Sequence, residues 1–176
     1  MQIGIALLPP EDVCDFVRDK ERYLSEKYNT VGGLTQPPHV TVKWPFEADD
    51  LAPFDEYCRE LASKMRPVEI VYDGYGLFPA GVFFLKVNST PELVGLHCTI
   101  LDELKERFGI EKNPFEGIDQ QFHTTLAMDD ISYEDCVAAL QESKDWGFPG
   151  PYISNRLAIC RFTGAEWVVH SIYDIK

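Results

Sequence analysis

The spacing of apolar residues alternates between two periods along this chain, and it does so in the same order twice. A period of two marks strands, and a period near 3.6 marks helices. Gln2–Leu8 reads as a buried strand. Pro9-Pro10-Glu11-Asp12 then opens a helix to about Tyr28, with Val13, Phe16, Val17 and Leu24 on one face. His39–Trp44 reads as a strand, about Asp50 to Met65 as a helix, and Val68–Leu77 as a strand. The turn Phe78-Pro79-Ala80-Gly81 leads to a strand at Val82–Val87. Thr90-Pro91-Glu92 is a strong helix start, with a capping Thr and a Pro at the first helical position, and Gly109 ends that helix. A strand at Phe122–Met128, a helix capped at Ser132, and strands near Ile153–Phe162 and Glu166–Ile175 complete the series.

Strand, helix, strand, helix, strand therefore occurs twice, with one strand to spare and a division near residue 80. The expected class is α+β. It is a single bilobal domain over residues 1–176 with pseudo-repeat halves at about 1–80 and 81–176. Two mostly antiparallel sheets flanked by helices should border a central cleft. A chain of 176 residues can bury about 70% of its unfolded surface, so its core needs no covalent staples. Cys14, Cys58, Cys98, Cys136 and Cys160 are widely spaced, with no C-x-x-C pair, and read as reduced thiols. No basic leader precedes the first strand, and no apolar run approaches a membrane span. A cytoplasmic protein without a membrane partner is expected.

Charge narrows the partners. Lys and Arg number 16 against 29 Asp and Glu, for a formal net charge of −13 at pH 7. No three basic residues are consecutive. Long nucleic acids are held by clustered cations that neutralise phosphates, so a long nucleic acid is not expected here. A small nucleotide or a short RNA end remains compatible.

The four histidines are His39, His97, His123 and His170, and the first three are each followed two positions later by Thr. Local pattern sorts them. In the strand His39-Val40-Thr41-Val42-Lys43-Trp44, period two puts His39, Thr41 and Lys43 on one face and Val40, Val42 and Trp44 on the other. Phe122-His123-Thr124-Thr125-Leu126-Ala127-Met128 repeats this, with His123, Thr125 and Ala127 opposite Phe122, Leu126 and Met128. His97 falls within a helix, where residues two apart diverge, so its match with Thr99 is accidental. His170 reads as a structural or surface residue.

Each retained motif occupies the second strand of its half. A two-fold duplication would bring these strands together and gather two imidazoles and two hydroxyls at one cleft. Imidazole suits proton transfer in both directions near neutral pH. One neutral histidine can take a proton from water, and one protonated histidine can give a proton to a leaving oxygen. Thr hydroxyls can hydrogen-bond phosphoryl oxygens as their charge changes. The plainer reading, two amphipathic strand edges, leaves the matching context in both halves unexplained.

Pro38-His39-Val40-Thr41-Val42-Lys43-Trp44-Pro45-Phe46 and Phe122-His123-Thr124-Thr125-Leu126 resemble the paired His-x-Thr signatures of the 2H phosphoesterase superfamily. That superfamily includes the bacterial 2'-5' RNA ligases, or RNA 2',3'-cyclic phosphodiesterases. The resemblance extends over nearly the whole chain. It implies a bilobal fold, no cofactor and no required metal, and cyclic phosphate or 2'-5' linked substrates. By motif match, His39 and His123 would form the acid/base pair, with the base and the acid left open. Thr41 and Thr125 would contact the phosphate. Lys43 is a candidate for offsetting phosphate charge, or else a solvated lysine at a strand end. Phe46 and Phe78 are candidates for stacking a base, or else core residues.

Competing site types lack their residues. There is no G-x-x-x-x-G-K-[ST] loop, no G-x-S-x-G elbow and no H-E-x-x-H, and Gly74-Tyr75-Gly76 lacks the helix of a dinucleotide fingerprint. A metal site on His39, His123 and scattered carboxylates would leave both Thr residues unexplained. The alternative to an enzyme is a non-catalytic member of the same fold that binds a nucleotide or a protein.

Overall fold

The computed structural model describes all 176 residues, Met1–Lys176. Its strands are β1 (Gln2–Leu7), β2 (Val40–Glu47), β3 (Val68–Ile70), β4 (Tyr72–Phe78), β5 (Val82–Val87), β6 (His123–Ala127), β7 (Tyr152–Ser154), β8 (Arg156–Phe162) and β9 (Trp167–Asp174). Its helices are α1 (Glu11–Tyr28), α2 (Ala52–Lys64), α3 (Pro91–Phe108) and α4 (Tyr133–Glu142). One sheet runs β2-β1-β8-β9, another runs β4-β5-β6, and β3 pairs with β7 between them. Every pairing is antiparallel.

Local chemistry explains the helix ends. The Thr90 side chain accepts from the Leu93 N–H, and Ser132 accepts from Asp135 N–H. Both satisfy a donor that the first helical turn leaves free. Gly109 ends α3 at φ 70°, a left-handed value that costs glycine little.

The long strand expected over Val68–Leu77 is broken at Val71, and the one over Ile153–Phe162 is broken at Asn155. Both breaks have the same cause. Each strand first pairs in the small β3–β7 ribbon and then crosses to a larger sheet. The Val71 carbonyl accepts from Asn88 N–H at 2.9 Å, and the Asn155 carbonyl accepts from Ile175 N–H at 2.8 Å. The first crossing keeps its apolar alternation through Val68, Ile70 and Tyr72 and leaves no sign in the sequence, whereas the second is marked only by the polar run Ser154-Asn155-Arg156.

The two halves of the sequence are not the two lobes. β8 and β9 join β1 and β2, whereas β4 joins β5 and β6. The helices exchange as well: α2 and α3 pack against the first sheet, and α1 and α4 against the second. The division near residue 80 therefore separates two runs of elements, and each lobe draws on both. One apolar cluster, from Ile3 and Ile5 through Phe83 and Leu85 to Leu157 and Ile159, runs beneath both sheets. Burial of that surface is the main force holding the lobes together.

Candidate active site

β2 and β6 are each the edge strand of a sheet, and the two edges lie against one another. The segment between Thr30 and His39 ties them together. A Cβ on Gly32 would sit 1.9 Å from the Met128 carbonyl oxygen, and one on Gly33 would sit 2.1 Å from that of Leu126. Only glycine allows this segment to rest on the end of β6. The Asp130 carboxylate locks the contact, accepting from the Thr30 hydroxyl and from the N–H groups of Val31 and Gly32. Burial pushes the Asp130 carboxyl up, but these donors outweigh it, and its pKa lies below the usual value.

Between the edges lies a cavity of about 740 Å³, within the range of small-molecule sites. His39, Thr41, His123 and Thr125 all line it. The two histidines are held alike. Nδ1 of His39 lies 2.7 Å from the Pro37 carbonyl, and Nδ1 of His123 lies 2.9 Å from the Gln121 carbonyl. A carbonyl only accepts, so each Nδ1 carries a hydrogen and each Nε2 is the proton-exchanging nitrogen. The Thr41 hydroxyl donates to His39 Nε2 at 3.1 Å.

Both imidazoles are less basic than free histidine. Burial is the main cause for His39, and the Pro37 carbonyl opposes it only in part. Burial also lowers His123, to about 4, against the pull of the Gln121 carbonyl, and the His39 side chain adds to the depression. In the free protein the site therefore holds two neutral imidazoles at pH 7.

Several residues stand elsewhere than the strand pattern suggests. The pairing of β1 with β2 slips between Ala6–Thr41 and Ile5–Lys43. This irregularity breaks the alternation, and Trp44, expected in the core, lines the cavity. Lys43 is no solvated lysine: it is only 1% exposed. Its Nζ donates to Glu116 Oε2 at 2.7 Å. Phe46 does not border the cavity; it meets Phe54 of α2 edge-on at 5.2 Å. Phe78 does line the cavity, and its ring stands edge-on to His123 at 5.2 Å. Met128, expected on the core face, also lines the cavity, because β6 ends at Ala127 and the chain turns at Asp129 with φ 68°.

His97 is fully buried, as a structural residue. Its Nδ1 donates to the Val42 carbonyl at 2.8 Å, and its Nε2 accepts from Gly117 N–H at 3.1 Å. His170 lies 3.5 Å from Asp55, on the sheet away from the cavity. Sequence reasoning missed Phe115, Asp119, Gln120 and Gln121, which also line the cavity. They belong to an irregular connection with no periodicity to read. No group of three or more His, Cys, Asp or Glu side chains is placed to hold a metal ion.

Two edge strands presenting matched His-x-Thr faces to one cavity define a class of protein. Residues 9–166 match the family model described as the 2'-5' RNA ligase superfamily, and the chain belongs to that family. A Bacillus mycoides protein, named only provisionally as a phosphoesterase, is 26% identical over 99% of this chain and 97% of its own length. Among solved structures, TT0787 of Thermus thermophilus shares the fold with a TM-score of 0.67 at 15% identity, covering 99% of this chain and 98% of that one. LigT of E. coli in apo form superposes with a TM-score of 0.59 at 13% identity, covering 99% of this chain and 97% of its own. The same LigT has been solved with 3'-AMP, with a TM-score of 0.58 at 14% identity over 99% of this chain and 98% of its own. No helix of this chain is long and apolar enough to cross a membrane.

Proposed function

We propose that this protein is a phosphoesterase that hydrolyses a 2',3'-cyclic phosphate, or a 2'-5' linkage at a nucleotide or short RNA end. His39 and His123 serve as its acid/base pair. One observation carries the reading. Both imidazoles face one cavity, and each is fixed through Nδ1 by the carbonyl two residues before it. Such a pair presents two Nε2 atoms for proton exchange, that of His39 accepting from the Thr41 hydroxyl in the free protein.

In the reaction, water attacks phosphorus, and one neutral Nε2 takes its proton. The phosphorus–oxygen bond to a ribose oxygen breaks, and the other imidazole, protonated, gives that oxygen a proton. Thr125, and Thr41 once its hydroxyl turns from His39 Nε2 to the substrate, donate to the non-bridging oxygens, where charge is redistributed in the transition state. The substrate anion raises the basicity of an imidazole beside it. One imidazole therefore takes up a proton as the substrate binds, although the free site is neutral. LigT solved with 3'-AMP supports a nucleotide-sized ligand for this fold. No step of this chemistry calls for a metal, and the protein is expected to remain in the cytoplasm.

The test is turnover of a panel of nucleoside 2',3'-cyclic phosphates and 2'-5' linked dinucleotides in EDTA. A single monoester product isomer, formed at an unchanged rate in EDTA, is expected. Activity that EDTA abolishes and a divalent cation restores would contradict the reading.

A further inference from the structure

The charge inventory of the cavity is unusual for a site that handles phosphate. Among the lining side chains, only Lys43 and Asp119 carry charge outside the histidines. Lys43 is already matched. Its Nζ lies 2.7 Å from Glu116 Oε2, and the same carboxylate accepts the N–H groups of Trp44 and Asn113, each at 2.7 Å. With both side chains buried, the pair presents no net charge to a ligand. Lys86 is the cross-strand neighbour of His123, but its Nζ lies 3.1 Å from Asp73. Beyond Lys43, no Lys or Arg lines the cavity. Beyond an imidazole that takes up a proton beside the substrate, the cleft therefore offers no uncompensated positive charge, within a chain of net charge −13.

Beside this charge-poor centre stands an aromatic shelf. Phe115 is 74% exposed, although it is a large apolar side chain. Its ring centroid lies 6.0 Å from that of Trp44, at an interplanar angle of 33°. The loop that carries it is fixed on both sides. Glu116 is bound to Lys43 and to the Trp44 backbone, and Gly117 N–H is bound to buried His97. An exposed ring on an anchored loop at a cavity rim is a surface for a flat partner. Base-on-ring stacking needs no hydrogen-bond readout and tolerates any base.

We propose that the cleft selects a mononucleoside-sized phosphodiester carrying a single negative charge, with its base lying on Phe115 and Trp44, and that it rejects substrates bearing further phosphates. This rests on the phosphoesterase reading above and specifies its substrate. A nucleoside 2',3'-cyclic phosphate has one negative charge and one flat ring. Each added phosphate brings charge that no side chain in the cleft offsets.

The experiment compares a nucleoside 2',3'-cyclic phosphate with the same molecule carrying a 5'-phosphate. Turnover is measured on the wild-type protein, and binding is measured by calorimetry on His123→Ala. The 5'-phosphate should lower kcat/KM and weaken binding by about tenfold or more at low salt, and the gap should narrow as salt rises. Phe115→Ala should raise KM for the nucleotide about tenfold with a smaller change in kcat, as expected for binding shared by ground and transition states. Its effect on ribose 2',3'-cyclic phosphate, which has no base, should be slight. Equal or tighter binding of the 5'-phosphorylated form, an unchanged KM in Phe115→Ala, or no binding of either ligand would overturn the proposal. Selective binding without wild-type turnover would instead contradict the phosphoesterase reading and leave the selectivity in place.

Discussion

Lys43 and Glu116 form an ion pair with N–O distance 2.7 Å, and their side chains are 2% and 0% exposed. The lysine that follows the first His-x-Thr motif thus anchors the loop of residues 109–122 to β2. Removing one partner of such a pair leaves a buried charge without compensation. Lys43→Met should therefore destabilise the fold by about 3–5 kcal/mol. Lys43→Met combined with Glu116→Gln should recover a large part of that loss, because no isolated carboxylate remains. Urea unfolding of the single and double variants checks this. Equal stabilities for the two would contradict it.

His97 joins β2 to the same loop from the other side, through Val42 and Gly117. His97→Ala leaves the buried Val42 carbonyl unpaired, at about 1–3 kcal/mol, and frees the half-buried Gly117 N–H. Its cost should appear as a lower Tm, while the activity of the folded fraction stays within a few-fold of wild type. A loss of kcat as large as that of a cleft histidine would mean that the helical His-x-Thr match is functional after all.

Glu21 faces the core from α1 at 1% exposure, and its Oε1 has no hydrogen-bond partner. Burial raises its pKa to about 7, against the attraction of Arg18. The folded-state value lies above the unfolded one, so the proton it holds favours the folded state at low pH. That contribution is lost as pH rises through about 7. It amounts to on the order of 3 kcal/mol. Glu21→Gln keeps a neutral side chain at every pH. Relative to wild type, its Tm should rise between pH 5 and pH 8. The same Tm difference at both pH values would rule out a titrating Glu21.

Both cleft imidazoles have lowered pKa values, His123 to about 4. Catalysis needs one neutral and one protonated, so kcat/KM should follow a bell whose maximum lies below pH 6.5. The apparent pKa values belong to the pair rather than to either residue. Bound phosphate favours the imidazolium, so the optimum for kcat should lie at higher pH than that for kcat/KM. Stopped-flow or steady-state pH profiles read both. A kcat/KM optimum at or above pH 7 would contradict the depression.

The chemistry-bearing strands are legible in the sequence because each has one buried face. Val40 and Val42 in β2, and Leu126 in β6 with Phe122 just before it, declare that face and so place His39, Thr41, His123 and Thr125 opposite it. Helix limits are legible at Thr90, Gly109 and Ser132 through capping chemistry. What fails has particular causes. A register slip in β2 has no mark in composition, so strict alternation puts Trp44 in the core. Lys43 and Glu116 are far apart in sequence, and nothing local tells a lysine that it will meet a carboxylate in the core. Phe46 reads alike as a stacking ring or a packing ring until α2 is seen beside it. The exchange of strands and helices between the lobes is invisible, because the order of elements is the same with or without it.

The most direct measurement is the turnover number of His39→Ala and of His123→Ala on a nucleoside 2',3'-cyclic phosphate in EDTA, beside wild type and with folding checked by circular dichroism. If the two imidazoles divide the proton transfers, each variant should lose about 10²–10⁴-fold in kcat, and the alkaline or acid limb of the pH profile should disappear with the residue removed. Wild-type turnover that persists within tenfold in either folded variant would contradict the paired-histidine mechanism.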